Sequence, residues 1–279
     1  MDRRLVSAAA SAKVDLVVSD LDGTLWHLDH DLHPRTREAI VELDRRGVPL
    51  LIATGRRVQS TAAPLARFGL APPAVCLNGA LGVDLATHER FHRAAFSTDA
   101  ATRVLAAFRG AGLRPCVYVD RADDIAVYLD PAPSTHPDHV TSFGPAAGTD
   151  DLDRVVAEEA VLCLSVLGRP VDELQRVVDA VGDAGIAHLG PDRGYGDWTL
   201  TVAGPGMSKW EGVLAYCAHA GLDPDRVLAI GDGPNDLELL SGAAVAVVTD
   251  DAHPAVRDIA HHVVGAALVG GWADLLDLV

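Results

Sequence analysis

The chain is poor in several things, and each shortage narrows what it does. Cysteine occurs four times, at Cys76, Cys116, Cys163 and Cys217, with no C-x-x-C pair. That spacing argues against a zinc ribbon and against a disulfide scaffold, and leaves buried free thiols in a reducing compartment as the expectation. Aromatic residues make up only 5% of the chain, so the core is expected to be aliphatic, built from Ala, Val and Leu. Basic residues are outnumbered 23 to 39 by acidic ones, a formal charge of −16. Such a chain is a poor ligand for nucleic acid or anionic membrane, and a phosphorylated substrate would have to be drawn by local charge. No apolar run reaches transmembrane length, and the apolar stretch in MDRRLVSAAASAK is too short for a secretory signal, so the cytoplasm is the expected location. Oligomeric state leaves no trace in the sequence.

What is present is a chain of 279 residues, nearly half of them apolar, enough for a substantial core with an inserted module. Apolar strand-like runs alternate with amphipathic helical ones in the first part: Val14–Ser19, Arg35–Arg46, Val48–Ala53, Gln59–Phe68 and Ala74–Leu77. Strand and helix in alternation predict a parallel sheet with right-handed crossovers. The same grammar returns late, with a helix over Ser208–Ala220 capped by Ser208, strands at Val227–Ile230, Val245–Val248 and His262–Val264, and helices at Asn235–Leu240, Pro254–Ala260 and Trp272–Leu278. Between them the pattern predicts an α+β module with a largely antiparallel sheet. Its strands are two short ones in Leu81–Ala95, a hairpin of Pro115–Val119 with Ile125–Leu129, then Val161–Leu167 and Trp198–Val202; its helices are Asp99–Arg109 and Val171–Val181, and a loop runs from Pro131 to Gly148. The expected organisation is therefore a Rossmann-like parallel core over 1–82 and 204–279, interrupted by an α+β domain over 83–203.

Four clusters carry chemistry, most at a strand's end or a helix's start, where open α/β sheets place their sites. In VDLVVSDLDGTL, Asp20 and Asp22 follow an apolar strand and strand alternation would point them the same way. Two like charges that close call for a divalent cation or a functional site. One carboxylate can attack phosphorus, and a neighbour can protonate the leaving oxygen and later deprotonate water. Gly23 permits a tight turn. In Ala53-Thr54-Gly55-Arg56 a hydroxyl at a strand tip can bond a phosphoryl oxygen, while Gly55 permits close backbone approach. Lys209, in Gly-Met-Ser-Lys, sits against the helix dipole and can supply the cation that two aspartates and a phosphoryl group need. In Gly231-Asp232-Gly-Pro-Asn235-Asp236 acids again end a strand, as hard oxygen ligands suited to Mg²⁺, with Asn235 as a possible helix cap.

Taken in order, D-x-D-G-T, T-G-R, K and G-D-x-x-N-D resemble the motif set of the haloacid dehalogenase (HAD) superfamily of phosphohydrolases. The size and position of the insert, between the second and third motifs, and Asn78-Gly79-Ala80 are similar to its Cof-type branch. The resemblance implies a Mg²⁺-dependent phosphatase for small phosphorylated metabolites, sugar phosphates first, working through an aspartyl phosphate. It implies Asp20 as nucleophile and Asp22 as general acid/base that also gives its backbone carbonyl to the metal. Thr54 would hold the phosphoryl group and Lys209 would neutralise it, with Asp20 and Asp232 as metal ligands and Asp236 as a ligand or a partner of one. Gly55, Arg56, Asn78 and Asn235 are the candidate substrate contacts; Arg56 and Arg57 are equally suited to surface salt bridges. A phosphomutase of the same superfamily and a non-catalytic regulatory protein are the competing readings. His27, His30 and His33 in WHLDHDLH have metal-like spacing, but in this position the resemblance implies a solvated flap, and His136 and His139 are read as loop residues.

Overall fold

A computed structural model of the chain describes residues 14–27, 31–121, 126–192 and 194–279. These fall into two compact units. One joins the described chain up to Ile52 with Cys217–Val279, and the other is Ala53–Tyr216.

The first unit is built on parallel strands. β1 (Leu16–Ser19) pairs with β2 (Leu50–Ala53) on one side and β12 (Val227–Gly231) on the other. β13 (Val245–Thr249) and β14 (His262–Val264) follow outwards, giving the order β14-β13-β12-β1-β2. β1 is buried throughout and β12 likewise, as expected of strands covered on both faces. The crossover α1 (Pro34–Arg45) starts at Pro34 in the N1 position, with His33 as its cap: the ring accepts a hydrogen bond from Arg35 N at 3.2 Å. Thr36, Ala39, Ile40 and Leu43, spaced by three and four, are its buried stripe. His33 is thus a structural cap, while Asp29 and His30 lie outside the described residues. The closing helix expected over Trp272–Leu278 is a 3-10 helix over Gly271–Leu278, entered through left-handed Gly270. It buries Trp272, whose indole N–H donates to Ser19 Oγ at 3.0 Å, directly beside Asp20.

The second unit contains α2 (Val58–Ala66), then β3 (Pro73–Cys76), β4 (Leu81–Asp84) and β5 (Arg90–Arg93), paired antiparallel in sequence. It continues through α3 (Thr98–Gly110), β6 (Cys116–Val119), β7 (Val127–Leu129), α4 (Pro137–Phe143), β8 (Ala147–Thr149) and α5 (Leu152–Glu158). β9 (Val161–Arg169), α6 (Val171–Val181), β10 (Ile186–Pro191) and β11 (Trp198–Ala203) complete it, and α7 (Lys209–Ala220) begins in it. Its six-stranded sheet runs β10-β11-β9-β6-β7-β8, antiparallel except for the β7–β8 pair. One face packs α3, α5 and α6, with Phe108, Leu164, Val166, Val177, Leu200 and Val202 in the shared core. The four cysteines are free and buried, and burial pushes the Cys76 and Cys116 thiols up to about 12. Among the described residues no helix is long and apolar enough to cross a membrane.

The expected loop over Pro131–Gly148 is corrected: it folds as α4 and β8. His136 caps α4 by accepting from Asp138 N, and Pro137 opens it. His139, read from sequence as a loop residue, is buried, its ring held between Tyr118 Oη at 3.1 Å and Thr135 Oγ1 at 2.8 Å. Burial, and after it the Arg57 guanidinium, lowers its pKa from 6.5 to about 4. The unfolded chain therefore takes up a proton that the folded one refuses between these two values, and the folded state loses stability as pH falls from about 6.5 towards 4. Thermal unfolding followed at pH 7 and pH 5 should show a larger drop in midpoint for the wild type than for His139→Gln.

Candidate active site

The first unit holds the acidic candidates. β1 ends at Ser19, and the chain turns at once. Leu21 O accepts from the amides of Thr24, Leu25 and Trp26 at 3.2, 3.0 and 3.1 Å, and Gly23 takes φ +86°, a conformation that costs glycine little. Asp20 directly follows β1, and Asp22 lies two residues on, in an isolated bridge with Trp26. Asp20 N donates to Ile230 O at 3.0 Å, which seats it beside the end of β12. Asp22 takes a different environment: its carboxylate accepts from the buried Trp26 indole at 3.0 Å.

The end of β12 supplies the other acids. Asp232 is buried and accepts from Thr24 Oγ1 at 2.8 Å, so the first and fourth motifs are joined directly. Asp236 is fully buried, and its Oδ2 accepts from the amides of Asp232 at 3.1 Å and Gly233 at 3.0 Å. It is the staple of this turn. Asn235, expected as a helix cap, sits inside the 3-10 turn Pro234–Asp236 ahead of α8 (Leu237–Gly242), and Asp236 caps that turn in its place. Gly231 is required here, since a Cβ would lie 2.5 Å from Asp236 Cγ.

Asp20, Asp232 and Asp236 each offer a carboxylate oxygen, all within 4.8 Å of one another and all buried. Three carboxylates so confined repel strongly unless a cation joins them. Hard oxygen donors of this kind fit a small divalent ion. The Asp22 carboxylate is not one of the three.

Within the second unit, Thr54, Gly55, Asn78 and Ser208–Lys209 are tied through one turn. Thr54 is buried; its amide donates to Val75 O at 2.8 Å and its carbonyl accepts from Asn78 N at 3.1 Å. Its Oγ1 accepts from Arg56 N at 3.2 Å. A Cβ on Gly55 would be 3.1 Å from Asn78 Oδ1, which explains the small residue beside that side chain. Leu77 and Asn78 both hold positive φ, 53° and 54°. Gly79 follows against the Ser208 carbonyl, immediately before Lys209. Lys209 is 1% exposed, so this is no solvated surface lysine. The Arg56 guanidinium donates to Ser60 O at 3.1 Å, and Arg57 donates to Ser142 O at 2.5 Å with its guanidinium 4.9 Å from the Phe143 ring centre. Sequence reasoning passed over the roles of Thr24 and Trp26; the threonine of D-x-D-G-T was the available signal, and nothing marked the tryptophan.

The profile of the haloacid dehalogenase-like hydrolases matches residues 17–276. A phosphoglycolate phosphatase of Methanopyrus kandleri is 26% identical over 94% of this chain and 95% of its own. A pyridoxal phosphate phosphatase of Escherichia coli is 24% identical over 90% and 93%. Among solved structures, a phosphatase of the superfamily from Bacteroides thetaiotaomicron superposes with TM-score 0.76 at 19% identity, over 99% of both chains. A haloacid dehalogenase-like hydrolase from B. subtilis does so with TM-score 0.77 at 16% identity, over 95% of this chain and 99% of that one. With the two aspartate turns joined through Thr24 and Asp232 and the match running nearly end to end, the chain belongs to the haloacid dehalogenase-like hydrolase family.

Proposed function

We propose that the protein is a Mg²⁺-dependent phosphomonoesterase for small phosphorylated metabolites, sugar phosphates first, with residues 83–203 as its cap. The observation that carries this reading is the buried group Asp20, Asp232 and Asp236 beside the Asp22-Gly23-Thr24 turn. Relatives named as phosphatases of phosphoglycolate and pyridoxal phosphate support the chemistry.

In this reading an Asp20 carboxylate oxygen attacks phosphorus in line, and the bond to the leaving oxygen breaks as Asp22 gives that oxygen its proton. Asp22 then takes a proton from water, whose oxygen attacks the aspartyl phosphate, freeing Asp20 and inorganic phosphate. The Trp26 indole N–H on the Asp22 carboxylate orients the acid/base. Thr54 and Lys209 would hold and neutralise the phosphoryl oxygens, with Gly55, Arg56, Asn78 and Asn235 as further contacts. Asp20, Asp232 and the Asp22 carbonyl would hold Mg²⁺, which screens the charge of the transferring group, and Asp236 keeps their turn in shape.

The test is release of inorganic phosphate from p-nitrophenyl phosphate with MgCl₂ and with EDTA, followed by a panel of phosphorylated metabolites. Turnover that survives complete metal removal would overturn the metal assignment. Asp236 gives a sharper check. Asp236→Asn keeps an oxygen for the two amides but loses charge, whereas Asp236→Ala strands both donors. We expect apparent Mg²⁺ affinity to fall roughly tenfold to a hundredfold in both, as for residues that orient metal ligands. Only the alanine variant should also lose about 1–3 kcal/mol of stability, read by urea unfolding.

A further inference from the structure

The face of the six-stranded sheet opposite α3, α5 and α6 carries a row of polar side chains in neighbouring strands. His188 of β10 pairs with Thr201 of β11, and Thr201 pairs with Ser165 of β9. Ala187 and Leu189, on either side of His188, pack against the helix-covered core, as do Leu200 and Val202 beside Thr201 and Leu164 and Val166 beside Ser165. Alternation therefore sends all three polar side chains to the other face.

Their protons are assigned by what they touch. Ser165 has one hydroxyl proton and Leu200 O, 3.0 Å away, can only accept it. With that proton on Leu200 O, Thr201 Oγ1, 2.9 Å from Ser165 Oγ, donates to the serine and its own oxygen is left as an acceptor. His188 Nε2 is buried and has no hydrogen-bond partner among the described residues. Burial first, and the nearby Lys209 ammonium second, lower the pKa of His188 to about 4, so the ring is neutral at pH 7. A buried imidazole nitrogen without a partner is costly and calls for a ligand group. A hydroxyl answers it with either tautomer, since it both donates and accepts; where Nε2 carries the proton, the hydroxyl accepts from the ring and gives its own proton to Thr201. The row is uncharged, which suits a polyol or sugar better than an ionic leaving group.

We propose that His188, assisted by Thr201, is a specificity-determining residue that binds a hydroxyl of the leaving group while Lys209 serves the phosphoryl end. This rests on the phosphatase reading and deepens it: the substrate is a phosphate ester of a hydroxylated carbon skeleton.

The experiment measures kcat/KM for p-nitrophenyl phosphate, whose leaving group has no second hydroxyl, and for glycerol 3-phosphate, erythrose 4-phosphate, ribose 5-phosphate and glucose 6-phosphate. The readout is the ratio of the best hydroxylated ester to p-nitrophenyl phosphate. In His188→Ala that ratio should fall roughly tenfold to a hundredfold, chiefly through KM, as expected when a substrate hydroxyl loses its buried partner. His188→Gln should recover part of it, and Thr201→Val should lower it in the same direction. A ratio unchanged in both His188→Ala and Thr201→Val overturns the assignment and leaves the phosphatase reading standing. So does a wild type that hydrolyses p-nitrophenyl phosphate but none of the four esters. A wild type that releases phosphate from no ester overturns both.

Discussion

Asp20→Asn should lower Mg²⁺-dependent hydrolysis of p-nitrophenyl phosphate by about a thousandfold or more, because the substitution removes the nucleophile itself. The fold should survive. Asn is isosteric with Asp, and Asp20 is one of three buried carboxylates whose oxygens lie within 4.8 Å. Removing one charge from that group relieves repulsion in the metal-free protein, so its thermal midpoint in EDTA should stay level or rise. Activity and stability thus move in opposite directions, which a misfolded variant cannot imitate. Asp22→Asn provides the contrast. Its predicted task is to protonate the leaving oxygen, and p-nitrophenolate departs readily without a proton. The loss for Asp22→Asn should therefore be smaller on p-nitrophenyl phosphate than on an alkyl phosphate, while Asp20→Asn loses both alike. Retained turnover in purified Asp20→Asn protein would sink the nucleophile assignment.

How far the sequence revealed this arrangement differed from segment to segment. The parallel strands were readable because VVS, LLIA, VLAIG and VAVVT are apolar runs that stop at Asp, Thr or Gly, and a strand buried on both faces has no other way to look. α4 escaped because Pro, Ser, His and Gly dominate its surroundings; its start signal, His136 with Pro137 behind it, relies on an imidazole acting as a cap, which composition does not advertise. β10 escaped for a related reason: it is an edge strand ending in Gly190-Pro191, and proline is tolerated only at such an edge. α5 is seven residues long, too short for a convincing period. The acidic candidates were legible as motifs, yet the grouping of Asp20 with Asp232 and Asp236, without the Asp22 carboxylate, was not, since it depends on how the chain beyond β1 seats each side chain. The row His188–Thr201–Ser165 was out of reach altogether, because its members are neighbours only by strand register, and one of the three strands had gone unrecognised.

Gly79→Ala should be among the most damaging single-methyl additions to the chain, although Gly79 belongs to no catalytic group. Two costs meet at this residue. Its φ of +110° lies where an L side chain is strained, by roughly 1–3 kcal/mol. An added Cβ would also stand 2.0 Å from the Ser208 carbonyl oxygen, a backbone atom with no rotamer to escape into. Gly47 separates the two terms, because it has a similar left-handed φ of +70° but open space around its Cβ position. Gly47→Ala should then pay only the strain, about 1–2 kcal/mol. Gly79→Ala should pay about 3 kcal/mol or more, a drop in midpoint of roughly 6–12 °C for a chain of this size. Relief of the clash requires Ser208 to shift, and Ser208 is the residue before Lys209. Whatever folded Gly79→Ala protein survives should therefore turn over p-nitrophenyl phosphate more slowly per folded molecule, while Gly47→Ala keeps wild-type kinetics. Equal loss of stability in the two variants would show that the turn yields to the methyl group, and the close approach at Gly79 would then impose no constraint on the lysine.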